Sequence, residues 1–274
     1  MNQTSLSPAA DAQPVPASPG GKPVISLTVE DSVAIATFCR PPVNAINEEW
    51  VARLDGILDQ LEGNERVNVL WMRSDQRVFC AGADLDFMRS VFLTDEGRLR
   101  MIDFTRRLQA VFARLEHSGI VTVAEIGGAA LGGGFELALA CDLRLVAEEA
   151  KIGLPEARLG LLPAAGGTQR LTRLCGEGTA RRLILGAELV NGAQALGLGL
   201  AQWAAPAADL ESTAGALVRR IAGLPREALV ACKSCIGAAL PGDGEGFAVE
   251  LSWSKKLLGT KQTQDLVRRF LEKS

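Results

Sequence analysis

Histidine is all but missing from this chain of 274 residues, with His117 the only one. A metal site built from several imidazoles is therefore excluded by count. An excess of positive charge is missing as well: 29 basic residues stand against 32 acidic ones, for a net charge of -3 and a pI near 5.4. Without a basic field, nucleic acid is not expected as a partner. No apolar run reaches the length that spans a bilayer, so no membrane role is expected. Residues 1–22 hold no aromatic residue and no cation before Lys22, and they are rich in Ala, Pro, Ser and Gln. They lack the early positive charge and apolar core of a secretory signal and the arginines of a transit peptide, and their composition predicts a disordered tail. The expected location is cytoplasmic. Six scattered cysteines, Cys39, Cys80, Cys141, Cys175, Cys232 and Cys235, fit free thiols in a reducing compartment. Cys232 and Cys235 spell C-x-x-C in an Ala/Leu/Val stretch, but no second pair and no nearby His accompany them, so core packing is expected there.

What is present is ordinary for a globular protein, 47% apolar and 22% charged residues, in a chain long enough to bury a large core. Val24 to Val29 and Val33 to Phe38 read as a β-hairpin around Glu30-Asp31-Ser32. Arg40-Pro41-Pro42 forces an extended turn, and Asn47 can cap a helix whose Val51, Leu54, Leu58 and Leu61 recur at helical spacing. Val67 to Met72 follows as a buried strand, and this strand, helix, strand order predicts an α/β fold with a parallel sheet. A Gly-bearing turn at Ala81-Gly82-Ala83-Asp84 leads to a long helix lined by Phe104, Leu108, Val111 and Leu115. Ile120 to Ala147 is then a compact strand, turn, helix, strand module, and from Asp209 onward the pattern is helical, with Leu210, Ala214, Leu217 and Ile221 on one stripe. The expected divisions are a tail over 1–22, an α/β core over 23–205 and a helical region over 206–274.

The richest stretch is Ala129 to Asp142, AALGGGFELALACD. Gly132, Gly133 and Gly134 stand where a loop becomes a helix. A helix start exposes backbone N–H groups that have no partner inside the helix, and residues without side chains let a ligand approach them. Such a place suits an oxygen that carries negative charge. Glu136 follows within the first turn, close enough to act on whatever those groups hold.

Four pieces stand in one order: Arg40-Pro-Pro-Val-Asn-Ala-Ile-Asn47, Phe79-Cys-Ala-Gly-Ala-Asp-Leu85, Ala130-Leu-Gly-Gly-Gly-Phe-Glu-Leu137, and Pro155-Glu156 ahead of Pro163-Ala-Ala-Gly-Gly-Thr-Gln-Arg-Leu171. Together they resemble the crotonase family, the enoyl-CoA hydratase/isomerase superfamily, over roughly residues 23 to 273. The resemblance implies a spiral of stacked ββα turns with a helical C-terminal region that builds a homotrimer, or a hexamer as a dimer of trimers. It implies an acyl-CoA thioester as substrate, with coenzyme A as part of that substrate and neither a further cofactor nor a metal. It places the backbone N–H groups of Ala83 and Gly133 on the thioester oxygen as an oxyanion hole. Glu136 and Glu156 match the two catalytic carboxylates of family members that add water to a double bond. By the same resemblance Glu136 orients and activates the water, and Glu156 exchanges the proton at Cα. Lys273, in the closing Phe270-Leu-Glu-Lys273, matches a lysine that reaches CoA phosphates. Phe87 and Met88, with Phe92 and Met101, supply bulk for an acyl pocket.

The family departs from this chain at two places. Asp86 stands where a basic residue often follows the Gly-Ala-Asp turn, and Glu125 puts a charge into a strand expected to be half buried. Having both acids favours an enoyl-CoA hydratase, a lyase of fatty acid metabolism. A Δ-isomerase on the same scaffold is the alternative, since one base suffices to shift a double bond. Further readings are a non-catalytic subunit, or an RNA-binding relative that would use Arg98, Arg100, Arg106, Arg107 and Arg114 of the long helix.

Overall fold

The chain coils through two sheets in turn, and the order of its strands shows how. In the computed structural model, residues 23–91 and 94–239 are described, together with Ser252, Trp253, Lys256, residues 260–263 and Asp265. The tail at 1–22 and Lys273 lie outside the described residues.

Strands β1 (Ile25–Glu30) and β2 (Val33–Phe38) pair antiparallel around Asp31, whose φ is 51°. Helix α1 (Glu48–Leu61) starts at Asn47, whose Oδ1 accepts the Trp50 N–H at 2.9 Å, and its first turn carries Glu48 and Glu49 where the helix dipole favours them. It buries Trp50, Leu54, Ile57 and Leu61 together with Val51 and Leu58. β3 (Val69–Ser74) returns parallel to β2. Helices α2 (Leu85–Val91) and α3 (Asp95–His117) follow, then β4 (Val121–Ile126) parallel to β3. From there the path repeats. Short β5 (Ala130–Leu131) belongs to a second sheet, α4 (Gly133–Ala140) crosses over, and β6 (Leu143–Ala147) returns beside β4. β7 (Lys151–Gly153), a 3-10 turn at Glu156–Leu159, α5 (Gly167–Leu185), β8 (Val190–Asn191) and α6 (Gly192–Gly197) make the next circuit and end in β9 (Trp203–Ala205) beside β6. Helices α7 (Leu210–Ala222) and α8 (Arg226–Ala238) follow.

The six-stranded sheet runs β1-β2-β3-β4-β6-β9 and the three-stranded sheet β5-β7-β8, so each circuit lays its strand next to the previous one. This is the stacked ββα spiral that the resemblance implied. A parallel sheet of this kind is covered on both faces, so its strands read as continuous apolar runs. Val69, Leu70, Met72, Val123, Ala124, Leu145 and Val146 are accordingly at most 1% exposed.

The stripe Leu210, Ala214, Leu217 and Ile221 is buried on α7 as its spacing predicts. Two expectations shift. The strand after α1 begins two residues later than expected, at Val69, and the Asn68 side chain just ahead of it donates to the carbonyls of Ala222 and Leu224 at the end of α7. The core packing expected for the C-x-x-C pair is corrected: Cys232 is exposed and Cys235 only half buried. On α8 the inward direction is taken by Ala231 and by Lys233, whose Nζ reaches Asp142 at 2.7 Å and the Ile120 carbonyl at 3.0 Å.

Candidate active site

The site forms where the edges of two circuits meet. Ile46 and Ala83 make an isolated parallel bridge, in which the Ile46 N–H donates to Gly82 O at 2.8 Å and the Asp84 N–H to Ile46 O at 2.9 Å. Peptide groups alternate in direction along an extended chain, so the Ala83 N–H points to the opposite edge. It meets no acceptor among the described residues. Gly82, with φ 97°, allows the close approach there, since a Cβ on it would lie 2.8 Å from Leu131 O and 3.4 Å from Gly133 N. Gly133 is the first residue of α4, where helix geometry offers its N–H no partner, and it too meets no acceptor among the described residues. Ala83 and Gly133, whose amides meet no acceptor among the described residues, thus line one cavity of about 250 Å³.

Both carboxylates expected from the sequence line the same cavity. Glu136 is 3% exposed, and its Oε1 accepts the Gly167 N–H at 2.7 Å. Gly167 is itself the first residue of α5, and a Cβ there would come within 2.8 Å of that oxygen. A second helix start therefore holds the carboxylate. Burial nevertheless dominates and, with the like charge of Glu156, pushes the Glu136 pKa up to about 7. Glu156 opens the 3-10 turn, half buried, and its Oε2 has no hydrogen-bond partner among the described residues. Burial raises its pKa as well. Its Oε1 lies 3.0 Å from where a Cβ on Gly132 would sit, so the glycine with φ 52° just ahead of Gly133 makes room for this acid.

The 40–47 loop fixes the segment that carries Ala83. Arg40 Nη2 reaches Asp84 Oδ2 at 2.5 Å, while Asp84 Oδ1 caps α2 by accepting from Asp86 N and Phe87 N. Burial works against the charge of Asp84, but the Phe87 N–H and Arg40 hold its pKa below the ordinary carboxylate value. Asn44, fully buried with φ 52°, donates through Nδ2 to Ser74 Oγ at 2.7 Å and Phe79 O at 3.1 Å, and its Oδ1 accepts the Arg40 N–H at 2.9 Å.

Met88, Met101, Phe104, Leu108 and Leu131 form the apolar wall of the cavity. The Thr105 hydroxyl turns back to Met101 O at 2.9 Å. Of the residues expected in the acyl pocket, Met88 and Met101 line the cavity and Phe87 does not. The Phe87 ring packs behind the wall on Phe104, with centroids 4.6 Å apart, and Arg100 lies over it. Phe92 lies outside the described residues. Leu85, Leu159 and Leu162 line the cavity yet are more than 60% exposed, which marks them as its rim. Sequence reasoning missed this rim, the grip of Gly167 on Glu136 and the part played by Asn44. The Gly166-Gly167 pair before a helix was the one signal for the second of these. Glu125 forms no ion pair among the described residues: Arg73 on β3 is spent on Glu211 at 2.7 Å, Glu125 Oε2 has no hydrogen-bond partner there, and burial raises its pKa. The five arginines of α3 are all ion-paired, Arg98 with Asp95, Arg100 and Arg107 with Glu48, Arg106 with Asp103, and Arg114 with Asp55, Asp59 and Glu62. Among the described residues no helix is long and apolar enough to cross a membrane.

A spiral of ββα circuits whose edges bring two free amides and two carboxyl groups into one apolar cavity defines a protein of the crotonase fold. The chain belongs to the enoyl-CoA hydratase/isomerase family, which it matches over residues 28–274. It is 32% identical over 252 residues to the short-chain-enoyl-CoA hydratase of Clostridium acetobutylicum, covering 91% of this chain and 95% of that one. Among solved structures, Pseudomonas aeruginosa DspI is 32% identical with a TM-score of 0.85, over 91% of this chain and 94% of that chain. An enoyl-CoA hydratase from Bacillus anthracis is 30% identical with a TM-score of 0.85, over 91% and 96%.

Proposed function

We propose that this protein hydrates the 2,3 double bond of a trans-2-enoyl-CoA thioester to give the 3-hydroxyacyl-CoA. The observation that carries the reading is the shared cavity, in which the Ala83 and Gly133 amides stand beside Glu136 and Glu156. The thioester oxygen sits on the two N–H groups, which stabilise the enolate character that develops there without having to reorganise. Glu136, steadied by the Gly167 N–H, orients one water and draws a proton from it as the oxygen bonds to C3. Glu156 delivers a proton to C2, so one water is added in total. The raised pKa values of both acids suit a pair that works with one proton between them. Coenzyme A enters as part of the substrate, and no metal or further cofactor takes part.

The isomerase reading has one observation in its favour: Glu156 has an unpartnered oxygen and a raised pKa, enough for a single base to carry a proton from C2 to C4. A homotrimer or hexamer is proposed on the family resemblance and is supported by the exposure of α8, where Ile236 is 73% accessible. The deciding assay follows loss of alkene absorbance with C4 to C16 2-enoyl-CoA substrates, with a 3-enoyl-CoA as the isomerase control. Hydration of crotonyl-CoA, lost by ~100-fold or more in Glu136→Gln and Glu156→Gln, is the expected result. Full activity in both variants removes the assignment.

A further inference from the structure

Arg144 is a buried cation outside the cavity, only 2% exposed, and every hydrogen bond of its guanidinium goes to a neutral oxygen. A guanidinium has five N–H donors, and burying its charge is tolerable only when they are satisfied. Nε donates to Leu200 O at 2.8 Å, Nη1 to Ala138 O at 3.1 Å and Cys141 O at 2.6 Å, and Nη2 to Gln202 Oε1 at 3.2 Å and Asp142 O at 3.4 Å. Gln202 Oε1 also accepts the Arg144 backbone N–H at 2.9 Å. Three of these oxygens, from residues 138 to 142, belong to the last turn and exit of α4, where a helix leaves carbonyls unpaired and favours a cation.

α4 begins at Gly133, about 12 Å from Cys141 at 1.5 Å per residue, and Glu136 stands midway along it. The Gly133 end is already pressed against the segment that leads to Ala83, since a Cβ on Gly134 would collide with the Cys80 carbonyl. The helix thus has a stop in front and a clamp behind. Its position along its own axis decides where one amide and one acid stand in the cavity.

We propose that Arg144 is a positioning residue for the reaction: gripping the far end of α4, its guanidinium sets where the Gly133 N–H and the Glu136 carboxylate meet the substrate. This rests on the hydration reading above. A lysine keeps the charge but offers three donors on a flexible stem, and so gives up at least two of the five side-chain contacts that hold the end of α4.

The test compares the full-length wild type with Arg144→Lys and Gln202→Ala in three measurements: kcat and KM for crotonyl-CoA, the thermal midpoint, and the carbonyl stretch of bound butyryl-CoA by isotope-edited infrared difference. For Arg144→Lys the expected result is a kcat lower by ~10- to ~100-fold, the scale of a small misplacement of catalytic groups. KM stays within ~3-fold, as for an interaction that matters chiefly in the transition state. The shift of the thioester carbonyl on binding is smaller than in the wild type, and Gln202→Ala moves both readouts the same way by less. A lowered thermal midpoint with wild-type kcat and an unchanged carbonyl shift overturns the proposal, because it leaves Arg144 a purely structural role. If Arg144→Lys does not fold, Gln202→Ala decides by the same readouts. A wild type that polarises the butyryl carbonyl but hydrates no enoyl-CoA refutes the hydration reading alone, and the carbonyl shift still decides on Arg144.

Discussion

Replacing Glu136 with Gln is expected to destroy activity and at the same time make the protein more stable, by an amount that depends on pH. Burial holds the Glu136 proton to about pH 7, against an ordinary 4.5 for a glutamate in an unfolded chain. A raised folded-state pKa means that the folded form binds the proton more tightly. The benefit is complete below pH 4.5 and is lost as pH rises through 7, where folding must bury a charge. The difference amounts to about 3 kcal/mol between pH 4.5 and pH 8. Glutamine has the same shape, keeps an oxygen for the Gly167 N–H and does not titrate. Its advantage over the wild type should therefore grow by that amount across the interval, roughly 6–10 °C in thermal midpoint for a chain of this size. Thermal unfolding of both proteins at several pH values, with the crotonyl-CoA assay alongside, measures it. A stability difference that is the same at pH 4.5 and pH 8 would refute the burial argument, whatever happens to the rate.

The pH dependence of kcat/KM should be bell-shaped, with the alkaline limb near 7, where Glu136 gives up the last proton of the pair, and an acid limb below it as Glu156 takes up its own. A flat profile from pH 5 to 9 would contradict it. Gly132→Ala places a methyl 3.0 Å from Glu156 Oε1 in a left-handed conformation, so kcat for crotonyl-CoA should fall by ~10-fold or more; an unchanged kcat means that Glu156 is not held there. Asn44→Ala strands the Arg40 N–H and the Phe79 carbonyl in a buried turn. It should cost about 2–4 kcal/mol in urea unfolding, and a cost under about 1 kcal/mol would show that the loop does not depend on it.

Local chemistry was readable from the sequence wherever a few consecutive residues decide it. Asn47 caps α1, the apolar stripes of α3 and α7 are buried, and the three glycines stand where β5 gives way to α4. What stayed hidden depends on residues far apart in the chain. Gly167 reaches Glu136 across 31 positions, and the oxygens around Arg144 come from residues 138 to 202. No local pattern reports such meetings. The leucines at 159 and 162 were passed over because they sit in a short loop with no helical or strand period. The reverse error arose on α8, where an Ala/Leu/Val composition stood for burial although the helix rests on the core by a narrow edge.

In the proposed reaction the start of α4 supplies an amide for the thioester, while the start of α5 holds Glu136 through the Gly167 N–H. The two anchors belong to different circuits of the spiral, so changes in the 160–166 loop, which lines the cavity at Leu161, Leu162, Ala164 and Ala165, should fall on the surroundings of the acids before they reach the Ala83 and Gly133 amides. Such a scaffold lets the fate of the alkene evolve separately from the recognition of its activating group. Loop grafting between residues 160 and 166 is therefore where new chemistry should be sought.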